Sequence, residues 1–456
     1  MVNYLYHIFL LIFVNWYILF FILYIAVVVL IGIISSRKES EDGFMIADRK
    51  VQGFQVAATM SAGFFDGSVL AVYMAYIYMY GLSAIWLFIG LALGFLLLKR
   101  YAARIKKQAD KMKVYSMPEY FYRVLGKRNG LIFSFFLILQ FFLLLAVNFI
   151  VSGKVLSMIF PISYTLAVII GGVVILTYLL LAGFKAVIKT DFFQLMIMFL
   201  MTIGVAIVLF GDIQKIPLSE FNLTGLGIGN MIGFLIITGM GLLVAPDLWQ
   251  RIFATKDQKN LSRGLSYSAV IIILLGLLIS IVGLITKASF PNIKPEDALV
   301  VGFSSLLPAG ILVALGMVLL YAVALSSSDT ATFVLSSIIT RDLKNYSKKY
   351  SVESMKKMTR LFMIILVALA VVLGIFYQNI LSLGFSLASL NLALFPAVIG
   401  SFYWKLKERA VFWSLVLAFL SILILFIFGQ LDPQTAVISL PVGAISLFIL
   451  QKVLKK

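Results

Sequence analysis

The chain has 456 residues, of which 62% are hydrophobic and only 12% charged, and its formal net charge is +18. Soluble domains carry about twice this charged fraction, so the composition excludes an ordinary soluble protein. Because cysteine is absent and His7 is the sole histidine, disulfides, iron–sulfur clusters and metal cages built from cysteine or histidine are excluded too.

Apolar segments long enough to cross a bilayer recur along almost the whole chain. We predict one membrane-embedded domain, residues 1–456, and interpret its first segment as a retained helix because it lacks the features of a signal peptide. The segmentation gives about thirteen transmembrane helices, at residues 8–36, 53–80, 82–99, 130–152, 160–182, 187–211, 226–246, 265–287, 309–339, 361–377, 380–404, 410–429 and 435–451.

The basic residues follow the predicted topology. If the N-terminus lies outside, the cytoplasmic segments hold 33 of the 37 lysines and arginines, and the outer segments hold only Lys154, Lys215, Lys287 and Lys294. This asymmetry predicts an outer N-terminus and a cytoplasmic C-terminus in the plasma membrane. The lipid bilayer is therefore the expected partner, and the basic charge gives no sign of nucleic acid.

Two predicted spans are interrupted. The second carries Asp66 between Gly63 and Gly67, and the seventh carries Gly239, Gly241 and Pro246. Such interruptions in the two halves of a membrane chain are typical of a transporter site, where unwound backbone exposes carbonyls to a cation. The alternative is ordinary packing of small residues between helices.

A run of oxygen-bearing side chains, Ser326-Ser327-Ser328-Asp329-Thr330, lies inside the apolar ninth span. A buried Asp costs about 2.5–3.5 kcal/mol at the centre of a membrane helix, and such residues usually mark ion or substrate paths. Helical spacing allows the hydroxyls at 326, 327 and 330 to converge on one hard cation. The alternative is that these hydroxyls bond back to carbonyls of their own helix.

Four segments together resemble the sodium:solute symporter family, whose members take up proline, pantothenate, sugars or sialic acid with sodium. The segments span residues about 45–410 in the family's order and spacing. They are the Ser326–Thr330 run with Thr340-Arg341-Asp342, then Ala182-Gly183 to Thr190-Asp191 and Gln194, then Asp247-Leu-Trp-Gln250-Arg251, and finally Leu394-Phe-Pro396 to Lys405.

The resemblance implies an all-α membrane fold with an inverted repeat of five plus five helices, the leucine-transporter type. The first repeat would comprise residues 53–211 and the second residues 226–404. One extra helix, 8–36, precedes this core, and two C-terminal helices, within 410–451, follow it.

The resemblance also implies a sodium site between the first and eighth core helices. Carried over residue by residue, its ligands are backbone carbonyls of Ala62, Phe65 and Val323 and the hydroxyls of Ser326 and Ser327. Some members hold a second cation, whose counterparts here are Asp191, Asp329 and Thr330. Asp191 follows Lys185 and Lys189, so an interfacial ion pair is the alternative for it, while Asp247 beside Arg251 is interpreted as a structural charge at a helix end.

Asp66 departs from the small residue that the family more often carries at this position. A lone carboxylate there would attract an amine, or its pKa would be raised by burial so that it carried a proton. Gly241 and Leu242 stand where sugar-transporting relatives have aromatic residues, so an amino-acid-like or amine-containing solute is favoured over a sugar. The candidate substrate residues are Asp66, Gly67, Gln140, Gly239, Gly241 and Asn391. Interhelical hydrogen bonding is the alternative for Gln140 and Asn391.

We therefore predict a secondary active transporter in which Na⁺ drives symport of a small organic solute by alternating access. Proton coupling through Asp66 remains the alternative, followed by a channel or a sensor. An enzyme is disfavoured because the sequence has no carboxylate cluster of the Asp-x-x-x-Asp type and no His–Ser pairing. No cofactor other than the coupling ion is expected, and a monomer is compatible with the sequence.

Overall fold

A computed structural model describes residues 16–35, 41–180, 184–308, 310–346 and 351–454, so His7 and the Ala182-Gly183 part of the family motif lie outside it. Within these residues the chain forms eighteen α-helices, and its extended residues pair only at an isolated bridge. The helices are α1 Trp16–Ser35, α2 Glu41–Ile46, α3 Phe54–Ala62, α4 Gly67–Tyr80, α5 Trp86–Met112, α6 Met117–Leu125, α7 Lys127–Ile159, α8 Tyr164–Leu179, α9 Phe184–Leu209, α10 Ile228–Gly241, α11 Pro246–Ala254, α12 Gln258–Ser289, α13 Ala298–Ser305, α14 Ile311–Tyr346, α15 Val352–Phe376, α16 Ile380–Tyr403, α17 Glu408–Ile427 and α18 Ser439–Val453.

Ten helices of the described part of the chain are long and apolar enough to cross a membrane, or eleven if the bent pair α10–α11 counts as one span. Each of the thirteen predicted spans overlaps a helix or a broken helix of the described residues, whereas residues 8–15 and 36 of the first span, 181–182 of the fifth and 309 of the ninth lie outside them. The count differs because α4 and α5, which are separated only by the turn at residues 81–85, count together as one stretch and because α8 is short. The all-helical membrane prediction is confirmed, whereas the number thirteen is not.

Polar side chains define where several helices begin. At each of these N-termini a side-chain oxygen accepts a hydrogen bond from a backbone N–H in the first turn, which satisfies a donor that the helix itself leaves unpaired. These capping residues are Asp66 of α4, Ser116 of α6, Ser163 of α8, Asp257 of α12, Ser351 of α15 and Asn379 of α16.

Helix α14 lies at the centre of the bundle. In its most apolar stretch 83% of the residues are buried inside the protein, against 33% for α17 and 22% for α18 at the periphery. It packs against α7, α9, α15 and the N-terminal α1, and it also contacts the broken pair α3–α4. A polar residue on α14 is therefore surrounded by protein rather than by lipid.

Both predicted interruptions are present as breaks in the described helices. Residues 63–66 separate α3 from α4, and α10 and α11 meet at an angle of 47° around Ala245. The chain just before α3 pairs with the chain just after α11, since Val51 N–H donates to Ala254 O and Lys256 N–H donates to Val51 O. The two broken helices are thus tied together at one end.

Candidate functional site

The break between α3 and α4 is stabilised by Asp66. Its backbone is extended, and its Oδ1 accepts hydrogen bonds from Val69 N–H at 2.7 Å and from the Ser68 hydroxyl at 2.6 Å. The side chain is only 2% exposed and forms no ion pair with any described residue. Asp66 is therefore both a helix cap and a buried carboxylate without a cationic partner.

Gly67 allows α4 to approach α14 closely. A Cβ at this position would lie 2.7 Å from Asn148 Oδ1, which is too short for a real contact, and 3.2 Å from Ala324 Cα, which is tighter than most real contacts. The first turn of α4 consequently lies against α14 beside the residues predicted to bind sodium. All five of those residues are at most 2% exposed: Ala62, Phe65, Val323, Ser326 and Ser327.

The α14 hydroxyls differ in how their hydrogen bonds are satisfied. Ser328 donates to Ala324 O at 2.7 Å and Thr332 to Ser328 O at 2.7 Å, as hydroxyls in membrane helices commonly do. Ser326 instead donates a long bond of 3.4 Å to Asp191 Oδ1. Ser327 lies beside Asp66, yet its buried hydroxyl makes no hydrogen bond of ordinary geometry within the described residues. The back-bonding alternative therefore holds for Ser328 but not for Ser326 or Ser327.

A small cavity of about 70 Å³ opens at the break, and we call it the polar cavity for the polar side chains in its otherwise apolar wall. Asp66, Gln140, Ser327 and Asn391 line it. The side-chain carbonyl oxygens of Gln140 and Asn391 are buried without a hydrogen-bond partner in the described part of the chain. Since unpaired buried acceptors are costly, these oxygens indicate a place for a ligand that donates hydrogen bonds or carries positive charge.

A second cavity of about 110 Å³ adjoins the first and is mainly apolar. It shares Phe64, Ser68, Val69, Leu387 and Asn391 with the polar cavity. Its remaining walls include aliphatic and aromatic side chains of α5, α10 and α16, among them Leu87, Leu91, Phe234, Ile237 and Phe385. The two cavities together offer one polar end and one apolar end.

The structure brings together four of the six predicted substrate residues. Asp66, Gln140 and Asn391 line the polar cavity, and Gly241 faces Asn391 Nδ2, which would lie 3.7 Å from a Cβ at residue 241. Gly67 and Gly239 line neither cavity. Gly67 packs against α14, as described above, and a Cβ on Gly239 would lie 3.5 Å from Gly90 O of α5.

A buried ion-pair network centred on Arg251 of α11 adjoins the polar cavity, since its members Asp247 and Thr330 also line that cavity. Its guanidinium donates to Asp191 Oδ2 at 2.8 Å and to Asp247 Oδ2 at 2.9 Å. It also donates to Thr59 Oγ1 at 2.9 Å and to Thr330 Oγ1 at 3.2 Å. These partners connect α3, α9, α11 and α14, so one side chain links both broken helices to their neighbours.

Asp329 faces a different set of partners from Asp191 and Thr330. Its Oδ2 accepts from the Tyr178 hydroxyl at 3.0 Å and from the Thr190 hydroxyl at 3.4 Å. Its Oδ1 is buried and has no partner in the described part of the chain. The three residues predicted as a second cation site thus fall into two groups. Arg251 binds Asp191 and Thr330, whereas Asp329 accepts hydrogen bonds from the Tyr178 and Thr190 hydroxyls.

The interfacial interpretation of Asp191 is wrong. Asp191 is fully buried and pairs with Arg251, whereas Lys185 lies 3.8 Å from Asp48 at the surface. The alternative arose because the sequence places lysines near Asp191, while its actual partner is 60 residues away in the chain.

Sequence reasoning missed three of the residues that complete this network. Arg251 was noted only as a neighbour of Asp247, and Thr59 and Tyr178 were not singled out at all. The spacing of Asp247 and Arg251, four residues apart on one helix, is a signal for their pairing. No comparable local signal exists for Thr59 or Tyr178, since each meets its carboxylate through tertiary packing.

Comparison with known proteins identifies the group to which the chain is related. The osmoregulated proline transporter OpuE of Bacillus subtilis is 27% identical over 410 residues, which cover 84% of this chain and 83% of that protein. The sodium/pantothenate symporter of Haemophilus influenzae is 26% identical over 428 residues, covering 86% and 84%.

The fold is also shared with solved transporters. A Na⁺-coupled sialic acid symporter in a substrate-bound outward-open state superimposes with a TM-score of 0.84 at 16% identity, covering 96% of this chain and 98% of that one. A nucleobase-cation-symport-1 family transporter, Mhp1, gives 0.55 at 13% identity, covering 90% and 94%. The family model for the sodium:solute symporter family matches residues 44–418, and the chain therefore belongs to that family of membrane transporters.

Proposed function

We propose that this transporter couples the entry of Na⁺ to uptake of a small amine-containing organic solute. The observation that carries the proposal is the buried Ser327 hydroxyl, which lies beside Asp66 at the break between α3 and α4 and makes no hydrogen bond of ordinary geometry among the described residues. An unused oxygen next to interrupted backbone suits a hard monovalent cation. The sodium named for the pantothenate and sialic acid relatives supports the same ion here.

The proposed sodium ligands are the carbonyls of Ala62, Phe65 and Val323 and the hydroxyls of Ser326 and Ser327. Both hydroxyls escape the back-bonding that occupies Ser328. The ligand set contains no carboxylate, so the neighbouring Asp66 supplies negative charge without binding the ion directly. This arrangement leaves Asp66 available to the solute.

A second cation position is proposed beside Asp191, Asp329 and Thr330. Asp329 Oδ1 is unpaired within the described residues, and Asp191 Oδ1 receives only the long bond from Ser326. The Thr330 hydroxyl already accepts a hydrogen bond from Arg251, so the carboxylates of Asp191 and Asp329 are the main proposed ligands of this second cation. Two coupled sodium ions would give a sigmoidal dependence of uptake on Na⁺, and a Hill coefficient of 1 would rule this second position out.

The solute is proposed to place its amine at Asp66 and its carbon skeleton in the apolar cavity. The polar cavity presents the Asp66 carboxylate with the unpaired carbonyl oxygens of Gln140 and Asn391, a set of acceptors suited to an ammonium group. The two cavities, about 70 and 110 Å³, are smaller than the about 300–1,000 Å³ of drug-sized ligand sites. A compact amine or amino acid is thus favoured over a sugar.

The chain is further proposed to lie in the plasma membrane with its N-terminus outside and its C-terminus in the cytoplasm. Residues 53–211 and 226–404 would form the inverted repeats, which place the two broken helices at equivalent positions. Alternating access would then expose the site at the breaks to each side in turn. Rocking of the broken helices against α14 would open and close the sodium site.

Uptake into proteoliposomes with an imposed Na⁺ gradient tests this proposal, using a panel of radiolabelled amines, amino acids and sugars. We expect uptake of an amine-containing solute that requires the gradient. Asp66→Asn should lower it at least about 30-fold, because loss of one partner of a buried charge pair costs about 2 kcal/mol or more. Asparagine is as good an N-cap as aspartate, so α4 should remain intact.

Asp212→Asn, in a surface loop, provides the matched control and should transport normally. Uptake that ignores the Na⁺ gradient would contradict sodium coupling. If Asp66→Asn kept the uptake of the cationic solute but removed its pH dependence, Asp66 would be a proton carrier instead of the amine site.

A further inference from the structure

A basic cavity of about 370 Å³ lies away from the transport site, where the end of α5 meets the segments that flank the broken helices. It is lined by Arg49, Lys106, Asp110, Lys113, Tyr115 and Lys256. Arg49 precedes α3, Lys256 follows α11, and the residues from 106 to 113 come from α5 and its end. Its volume falls within the about 300–1,000 Å³ typical of ligand sites.

The charges in this cavity are unbalanced. Asp110 is shared, because Arg49 donates to its Oδ1 at 2.7 Å and Lys106 Nζ lies 3.2 Å from its Oδ2. Lys113 and Lys256 form no ion pair with any side chain that the structure describes. Four cations therefore face a single carboxylate.

Lys106 makes the cavity more than a patch of solvated lysines. Its side chain is only 6% exposed, although lysine is seldom fully buried unless it is paired. Its one anionic partner within the described chain is also claimed by Arg49 and is itself 42% exposed. Because Lys106 shares the single carboxylate of Asp110 with Arg49, its buried ammonium group is only partly balanced, which favours binding of an additional anion.

The backbone at the cavity rim is held in an unusual conformation. Lys113 has φ 51° and Arg49 has φ 54°, both in the left-handed region that glycine occupies more cheaply. At Arg49 this costs about 1 kcal/mol or more, whereas Lys113 is the left-handed residue that commonly ends a helix, here α5. Both of these basic side chains line the cavity.

The helix dipole explains only part of the positive charge. The C-terminus of α5 carries an effective charge of about −0.5, which favours nearby cations. After subtracting this and the carboxylate of Asp110, about 2.5 positive charges remain from the four cations. This surplus is more than enough to balance a phosphate group, which carries about one to two negative charges at neutral pH.

We propose that this cavity binds a phosphate group, carried by an anionic phospholipid headgroup or by free inorganic phosphate. It lies on the face that the distribution of basic residues predicts to be cytoplasmic, where basic pockets between membrane helices bind anionic headgroups. The bound phosphate would connect α5 to the isolated bridge formed by Val51 and Thr255. It would thereby hold the inner ends of α3 and α11 in the present arrangement.

The test uses the purified, delipidated full-length chain in a neutral detergent. Equilibrium dialysis measures binding of radiolabelled orthophosphate at constant ionic strength, and native mass spectrometry measures retention of phosphatidylglycerol against phosphatidylcholine. We expect saturable binding of orthophosphate, or retention of phosphatidylglycerol in preference to the zwitterionic phosphatidylcholine. Lipid retention alone identifies the headgroup as the source, and orthophosphate binding identifies the free ion.

The variant Lys113→Gln/Lys256→Gln removes the two unpaired cations and should weaken binding at least about tenfold, since charge-assisted hydrogen bonds contribute strongly. Lys107→Gln/Lys111→Gln is the matched control. Both of these lysines are exposed on α5, the helix whose end contributes to the cavity, but neither lines it. The proposal is overturned if neither ligand binds, or if the two double variants bind as wild type does.

Discussion

Four carboxylates and one guanidinium lie buried around the broken helices, and their pairing is uneven. Arg251 neutralises Asp191 and Asp247, whereas Asp66 and Asp329 contact only hydroxyl or amide donors in the described part of the chain. Buried charge without a counter-charge is costly. The residue-scale chemistry therefore favours cations at two places, beside Asp66 and beside Asp329.

Arg251→Met tests the role of the buried network in stability. Removing the guanidinium leaves Asp191 and Asp247 without a counter-charge, so we expect a loss of about 3–5 kcal/mol in the free energy of unfolding. Thermal unfolding in detergent measures the effect. The double variant Arg251→Met/Asp191→Asn should recover part of it.

Lys185→Met is the control for this comparison, because the Lys185–Asp48 pair is largely solvated and should contribute less than about 1 kcal/mol. Equal thermal stability of Arg251→Met and Lys185→Met would show that the buried network does not stabilise the fold.

Local sequence patterns located part of the candidate site, whereas they gave no information on its remaining contacts. The spacing of Ser326 and Ser327 on one helix and the glycines around Asp66 indicated where a cation could sit. The contacts Thr59–Asp191 and Tyr178–Asp329 join residues 132 and 151 positions apart. Such contacts depend on how the helices pack, which no local periodicity encodes.

The broken pair α3–α4 is the element on which the site depends, and its position against α14 requires a glycine at residue 67. The same glycine-rich segment predicted the break from the sequence, since small residues and Asp66 interrupt an apolar run. The predicted boundary between residues 80 and 82 falls at Gly81, whose φ of 65° ends α4 before the short turn at residues 81–85 that leads into α5.

Gly67→Ala tests the close packing of α4 on α14. The added methyl would meet Asn148 Oδ1 and Ala324, so we expect a destabilisation of about 1–3 kcal/mol together with weaker transport. Gly204→Ala on α9 is the matched control, because nothing lies within 4 Å of its Cβ, and it should be neutral or slightly stabilising. Comparable unfolding temperatures for the two variants would argue against tight packing at the break.

The whole molecule is a helical bundle whose most buried helix carries the hydroxyl run. Hydropathy predicted the helical regions well, because each crossing requires a long apolar segment. It was less reliable for counting spans, since length alone does not distinguish α8 or a bent pair from a full crossing. Membership of the symporter family and the shared fold confirm the architecture in outline.

The cysteine-free sequence allows a direct test of orientation. A single cysteine at Leu218, which is 88% exposed, lies in a predicted outer loop, and one at the exposed Lys111 lies on the predicted cytoplasmic face. A membrane-impermeant maleimide should label Leu218→Cys in intact cells and Lys111→Cys only after permeabilisation. The reverse pattern would invert the proposed topology.

The most direct test of the central claim is the Na⁺ dependence of solute uptake in Ser327→Ala and Ser328→Ala. The Ser327 hydroxyl makes no hydrogen bond of ordinary geometry within the described residues, whereas the hydroxyl of Ser328, its neighbour on α14, donates to Ala324 O. We expect Ser327→Ala to raise the Na⁺ concentration for half-maximal uptake at least about tenfold, because bonds to charged groups contribute about 1.5 kcal/mol or more. Ser328→Ala should stay within about twofold of wild type. An unchanged Na⁺ dependence in Ser327→Ala, or an equal shift in both variants, would contradict a sodium site at the break between α3 and α4.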